Sequence, residues 1–310
     1  MAKNVSLSTE GCGPGPGHHW RVRDTYTHGH HASVLRSHTW RTAENSAAHL
    51  LAHLSPGQSL LDVGCGPGTI TVDLAALVAP GPVVGLDASA EVLAGATARA
   101  RAFGSQATFA AGDAYALPFA GEAFDVVHAH QVLQHLRRPV DALVEMGRVL
   151  RPGGLLSVRD SDYAGFVWAP ADPWLDRWLD LYHRVTAANG AEADAGRHLL
   201  AWVRAAGFVD PVATSSTWTF ADPESREWWG GLWAERVRHS AFADQALAGG
   251  HAQEAELEEI AAAFDRWAGD EDGEVAVLHA QDKRRLLALD SKIEAEPDRG
   301  CLRMDGRHRG

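Results

Sequence analysis

The chain has 310 residues of which 45% are apolar, enough for a large packed core and too apolar for wholesale disorder. A formal net charge of -12, with no basic run in the body of the chain, argues against a nucleic-acid partner. Three cysteines, Cys12, Cys65 and Cys301, stand in no ligand spacing, and no window reaches the length of a membrane span, so the expected setting is reducing and cytoplasmic.

Residues 1–19, rich in Gly, Pro and Ser, read as a disordered leader. The stretch Tyr26–His38 carries His28, His30, His31 and His38 without a carboxylate pair to complete a metal site, so these read as surface or lid histidines and no metal is expected. Trp40–Leu54 has helical spacing, with Ala43, Ala47, Leu50, Leu51 and Leu54 on one face, and Pro56-Gly57 ends it.

A regular alternation follows. Leu60–Val63 predicts a first strand, Gly64-Cys65-Gly66-Pro67-Gly68 a turn, and Thr69–Val78 a helix. Val83–Leu86 predicts the second strand, ending in Asp87, and Ser89 an N-cap for a helix over Ala90–Phe103. Further strands are predicted over Ala107–Ala111, Phe124–His128 and Leu155–Val158, with a helix over Val140–Leu150 between the last two. Strands joined by helices of this length imply parallel βαβ units and a doubly wound α/β sheet.

Beyond residue 160 the pattern changes. Pro173–Ala188, Gly196–Ala206, Ser225–Ala248 and Gln253–Trp267 read as helices, and Val209–Phe220 and Glu274–Ala280 as strands. Residues 222–272 then form a helical insertion between the last two strands, and residues from about 285 read as a frayed tail. The domain layout is thus a leader (1–19), a lid and helix (20–55), a cofactor core (56–160), a C-terminal half with the insertion (161–284) and the tail (285–310).

A glycine turn between a strand and a helix suits either a dinucleotide or a nucleoside-type cofactor. The dinucleotide fingerprint needs a glycine where this chain has Thr69. Carboxylates at Asp62, Asp87 and Asp113 disfavour a pyrophosphate and suit a cofactor carrying positive charge. An NAD(P)-dependent oxidoreductase remains the alternative class.

LDVGCGPG resembles the first motif of class I S-adenosylmethionine-dependent methyltransferases. Asp87, Gly112-Asp113-Ala114, Phe124-Asp125-Val126-Val127 and Arg148–Gly154 resemble the later motifs, in order. The small-molecule group that includes the ubiquinone/menaquinone-biosynthesis methyltransferases is the most similar. This resemblance implies a Rossmann-like seven-stranded sheet, mostly parallel with an antiparallel last strand. It places Gly64, Cys65, Gly66 and Gly68 against the methionine part of S-adenosylmethionine, Asp87 with Ala88 on the ribose, and Asp113 with Ala114 on the adenine. His130 and Gln131 then face cofactor and substrate. The implied activity is methyl transfer to a small, apolar or aromatic acceptor by in-line displacement; a non-catalytic relative that binds the cofactor is the further alternative.

Such a transfer needs alignment and water exclusion more than a fixed catalytic set. His130 is the candidate catalytic group, with His38 and Asp160 as other ionisable residues expected near the pocket mouth. Residues 20–42 are expected to close over the cofactor, with Tyr26, Arg41 and Thr42 reaching it. Nine of the eleven tryptophans lie between Trp168 and Trp267. Most are expected in the core, with one or two walling an apolar acceptor or facing the sulfonium methyl.

Overall fold

The computed structural model describes residues 24–29 and 31–285; the expected leader, His30, Cys12, Cys301 and the chain beyond 285 lie outside them. In chain order, α1 (Ala32–Thr39) and α2 (Ala43–Leu51) precede β1 (Leu60–Val63), α3 (Thr69–Val78), β2 (Val83–Asp87), α4 (Ala90–Ala102) and β3 (Thr108–Ala111). Then come β4 (Phe124–His130), α5 (Pro139–Val149), β5 (Leu150–Ser161), β6 (Val167–Ala169), α6 (Pro173–Ala188) and α7 (Ala195–Ala205). The last elements are β7 (Val212–Phe220), α8 (Pro223–His239), α9 (Ala241–Ala248), α10 (Glu254–Gly269) and β8 (Glu274–Arg285).

All four residues of β1 are buried, as a strand covered on both faces must be. It pairs in parallel with β2 and β4, β2 with β3, and β4 with β5. β8 runs antiparallel to β5, and β7 lies along its other edge. Of the eight strands, β6 is short and pairs with Glu274–Ala276 on the edge of β8 that β5 occupies further along. It therefore prolongs β5 without widening the sheet, which keeps the expected mostly parallel order with an antiparallel last strand. The chain winds outward from β1 to β3, then returns to β4 on the other side of β1. That reversal opens a crevice at the carboxyl ends of β1 and β4, where ligands bind in open α/β sheets.

Alternate residues of each strand feed opposite faces. Leu60, Val83 and Val126 pack with Leu50 of α2 and with Ile70, Leu74 and Val78 of α3. Leu61, Val63, Leu86 and Val127 pack with Leu143 and Met146 of α5 and with Leu199 and Val203 of α7. A third, aromatic core joins α6 to the helices between β7 and β8. At its centre Trp178 is fully buried, edge-on to Trp233 at 4.6 Å and to Phe264 at 5.1 Å between ring centroids.

Several elements differ from their sequence expectation. The helix expected from Trp40 begins only at Ala43, because Thr42 caps it: Thr42 Oγ1 accepts from Asn45 N–H at 3.2 Å and Asn45 Oδ1 accepts from Thr42 N–H at 2.9 Å. The separate α1 ahead of it was not anticipated. Ser225–Ala248 divides at Ser240, whose hydroxyl donates to Arg236 C=O at 2.8 Å and accepts from Phe242 N–H at 3.2 Å, closing α8 and opening α9. β8 runs on to Arg285 because strands flank it on both sides.

Candidate active site

The glycine turn after β1 is fastened to the end of β2. Gly64 and Cys65 N–H both donate to Leu86 C=O, at 2.7 and 3.0 Å. Gly64 has φ +68°, and a Cβ there would come within 2.4 Å of Val132 Cγ2, so glycine alone fits. Gly68, with φ +75°, opens α3 and turns toward Phe109 and Ala96; it packs the turn onto β3 and α4 and does not line the cavity.

Asp87, at the end of β2, is held from both sides. Gly66 N–H donates to its Oδ2 at 3.0 Å and Ser89 N–H to its Oδ1 at 2.9 Å. Each oxygen keeps lone-pair capacity toward the crevice. Asp113, past β3, accepts Tyr115 N–H at 2.9 Å and stands exposed at the rim. Asp62 differs from its expected role. Its Oδ1 meets His128 Nδ1 at 2.8 Å and its Oδ2 accepts from Thr71 at 2.5 Å, so its carboxylate is engaged inside the fold. Burial pushes the neighbouring Cys65 thiol up, out of the range where it would ionise.

β4 delivers His130 and Gln131. Gln131 takes φ +53°, a left-handed backbone rare for its type. Its N–H donates to Arg159 C=O at 2.7 Å, and its side-chain Nε2 reaches Ser161 Oγ at 2.7 Å and His279 Nε2 at 2.8 Å. Its Oε1 accepts from Arg41. So fixed, Gln131 is a rigid polar post in the crevice. His130 is 5% exposed, and burial, then Arg41 and Arg159, hold it well below the usual histidine range, hence neutral. Arg159 Nη1 lies 3.5 Å from His130 Nδ1; arginine only donates, so Nδ1 accepts and Nε2 carries the proton. In that tautomer Nδ1 is engaged by Arg159 and Nε2–H is buried without a partner, so neither nitrogen is placed to act as a base.

The far end of the cavity is roofed by Tyr26 and His38, which the sequence analysis expected near it, and by His135 and Arg236, which it did not. Tyr26 Oη and His38 Nε2 are 3.3 Å apart, and the Tyr26 ring stands edge-on to His135 at 4.7 Å. Burial pushes the Tyr26 hydroxyl up to about 12 and lowers His135 to about 3. His28 Nε2 lies 3.0 Å from Tyr182 Oη, while its Nδ1 has no partner; burial and then Arg236 hold it well below the usual range. Arg236 reaches in from α8, its guanidinium 4.5 Å from the Trp233 ring.

One cavity of about 1260 Å³ gathers Tyr26, Asp62, Gly64, Cys65, Gly66, Asp87, Ala88, Asp113, Ala114, His130 and Gln131. Single-ligand sites run to roughly 300–1,000 Å³, so this one has room for a cofactor and an acceptor together. Thr42 is absent from its lining, its hydroxyl being spent on the α2 cap. Asp160 is also elsewhere: it is fully buried, accepting Gln134 N–H at 3.1 Å, and burial raises it to about 7. A smaller annex of about 60 Å³ is walled by Trp40, Trp218, Trp228, Trp229 and Trp233. It shares Ser37, Arg41, Gln131, Tyr163 and Arg236 with the main cavity. Among the described residues no cluster of His, Cys, Asp and Glu is placed to hold a metal, and no helix is long and apolar enough to cross a membrane.

The donor set fits a nucleoside cofactor with a positive centre. Asp87 and Asp113 supply acceptors for hydroxyl and amino groups, and the open backbone at Gly66, where a Cβ would meet only His38 at 3.9 Å, lets a ligand approach closely. A family model for the methyltransferase domain matches residues 54–204. The chain is 35% identical over 258 residues to an uncharacterized methyltransferase of Schizosaccharomyces pombe, covering 80% of this chain and 91% of that protein. It is 34% identical over 155 residues to a ubiquinone/menaquinone biosynthesis C-methyltransferase of Roseobacter denitrificans, covering 48% of this chain and 60% of that one. Among solved structures, the YcgJ protein of Bacillus subtilis shares the fold, with a TM-score of 0.52 at 19% identity, over 79% of this chain and 98% of that one.

Proposed function

We propose, from the premise that this chain belongs to the class I S-adenosylmethionine-dependent methyltransferases, that it methylates a small ring-bearing molecule held between the cofactor and the tryptophan annex. The observation that carries this reading is the joining of the two spaces through Gln131, Arg41, Tyr163 and Arg236. An apolar ring suits indole walls, and the residues shared between the spaces mark where acceptor and cofactor meet.

S-adenosylmethionine, when bound, supplies a methyl group already activated by its sulfonium. The chain therefore has to bind, align and keep the site dry. Asp87 would accept hydrogen bonds from the ribose hydroxyls, and Asp113 with Ala114 would border the adenine. Gln131, pinned by Arg41, Ser161 and His279, sets the boundary between the two ligands. Tyr26, His28 and His135 close the roof with apolar ring area.

The test is a transfer assay with methyl-labelled S-adenosylmethionine over quinones, phenols, aromatic acids, amines and aliphatic amines. Labelled product from ring-bearing acceptors alone is the expected result. Transfer confined to aliphatic amines would overturn the ring-binding role of the annex.

A further inference from the structure

Building on the reading above, we propose that the acceptor is an anion and that Arg236 binds its charged oxygens. Arg236 is 5% exposed, and none of the ion pairs formed among the described residues includes it. Its Nη2 donates to Ser37 Oγ at 3.1 Å and to Ser33 C=O at 3.4 Å, and its Nε has no partner. Its immediate neighbour Glu235 turns away to Arg36 and His31.

A buried guanidinium without a counter-ion is costly to the fold. Acids are not scarce in this chain, which carries 40 Asp and Glu against 28 Lys and Arg. Elsewhere arginines find them: Arg138 pairs with Asp141, Arg151 with Asp125, Arg197 with Asp162 and Arg266 with Asp172. Arg159 and Arg226 are as deeply buried and also lack a carboxylate partner, but they lie off the cavity, Arg159 on Ser216 and His130 and Arg226 on Ala221 C=O; Arg236 stands on the cavity wall. The groups facing Arg236 there are the hydroxyls of Tyr26, Tyr163 and Tyr182 and a second cation, Arg41. None of these neutralises it, and a ligand anion does.

Arg41 does not fill the same need. It lies beside the glycine turn: its N–H donates to His38 C=O, which also accepts from Thr69 Oγ1. Its guanidinium donates to Gln131 Oε1 and stands 5.8 Å from the Trp218 ring, so it is held at the partition between cavity and annex. Arg236 enters from the helical insertion, against Trp233, and borders both the main cavity and the annex. The chemistry it recognises is a carboxylate, a phenolate or a phosphate attached to a body small enough for the indole-lined space.

The experiment uses the full chain saturated with S-adenosylhomocysteine. Benzoate, phenyl phosphate and the neutral benzamide are titrated by calorimetry, with binding of S-adenosylhomocysteine measured separately. At least one anion should bind at least about tenfold tighter than benzamide, the scale of one charge-assisted hydrogen bond. Whichever of benzoate and phenyl phosphate binds tighter distinguishes a carboxylate from a phosphate acceptor. Arg236→Gln should abolish that preference and leave the affinity for S-adenosylhomocysteine within about twofold. Arg236→Lys should keep part of it, which covers the case in which the glutamine variant fails to fold. The inference is overturned if benzamide binds wild type as well as either anion, or if Arg236→Gln keeps the preference. It is also overturned if that variant loses S-adenosylhomocysteine, which would assign Arg236 to the cofactor. Failure of wild type to bind S-adenosylhomocysteine would instead sink the methyltransferase reading.

Discussion

Asp87 offers the sharpest test of the cofactor site. Its carboxylate is aimed by two backbone donors, Gly66 N–H at 3.0 Å and Ser89 N–H at 2.9 Å, before any ligand arrives. Under the proposed reading, ribose hydroxyls would meet an acceptor whose orientation is already fixed, so little would be lost in ordering it. A hydrogen bond to a charged group contributes about 1.5–3 kcal/mol. Asp87→Ala removes at least one such bond and should weaken S-adenosylmethionine by between about tenfold and about a hundredfold, measured by titration calorimetry. Asp87→Asn is the finer probe. Its amide must turn NH₂ toward one of the two backbone donors, so it should lose much of the affinity despite an unchanged shape. Thermal melts of the free variants separate loss of binding from loss of fold. Affinity within about twofold of wild type for Asp87→Ala would refute the reasoning, and so would tight binding of NAD by the native chain.

Other residues give independent checks. Asp160 is carried by burial from 3.8 to about 7 in the folded state, so the native protein holds that proton more tightly than the unfolded chain does. Its contribution is then most favourable below the unfolded value and is lost as pH rises toward 7, by up to about 4 kcal/mol. Asp160→Asn should flatten that pH dependence in urea titrations; parallel curves for the two proteins across this range would count against it. Thr42→Ala should cost about 1 kcal/mol of stability through the lost helix cap while leaving cofactor affinity unchanged. A drop in affinity in that variant would return Thr42 to the site.

The grouping of the glycine turn and Asp87 in one crevice was legible in the sequence because its geometry is local. Gly64, Gly66 and Asp87 each lie at the end of a strand whose limits follow from burial, and a βα unit places strand ends in one crevice. Asp62 lines the cavity as expected, but its partners Thr71 and His128, 9 and 66 residues away, were not foreseen, because only the folded pairing brings them to it. Asp160 likewise sits one residue past the Arg159 that backs His130, yet it turns to the opposite side, under the Leu133–His135 turn. Arg236 carried no signal in spacing, and His28 was read as one of the surface or lid histidines and given no place in the cavity. They reach the cavity because α1 docks on α8 and α6 on the insertion, and no local pattern encodes that docking. The tryptophans divide between core and pocket wall, but five of them, not one or two, line the annex. Trp178 and Trp267 fill the aromatic core, while Trp40, Trp218 and Trp228 stand at the annex.

The docking of α1 on α8 also has a kinetic consequence. Arg36 pairs with Glu235, and Arg236 holds Ser33 C=O and Ser37 Oγ, so the two helices are tied at successive turns. One supplies Ser37 and His38 to the cavity, the other Arg236. A roof built as one piece over two ligands imposes a sequence on their traffic. With the cofactor on the glycine turn, as proposed, it would enter first and leave last, and its exchange would wait for the molecule above it. Steady-state kinetics should then be compulsory-order, with S-adenosylhomocysteine competitive against S-adenosylmethionine and not against the acceptor. A random-order pattern would mean that α1 and α8 part independently.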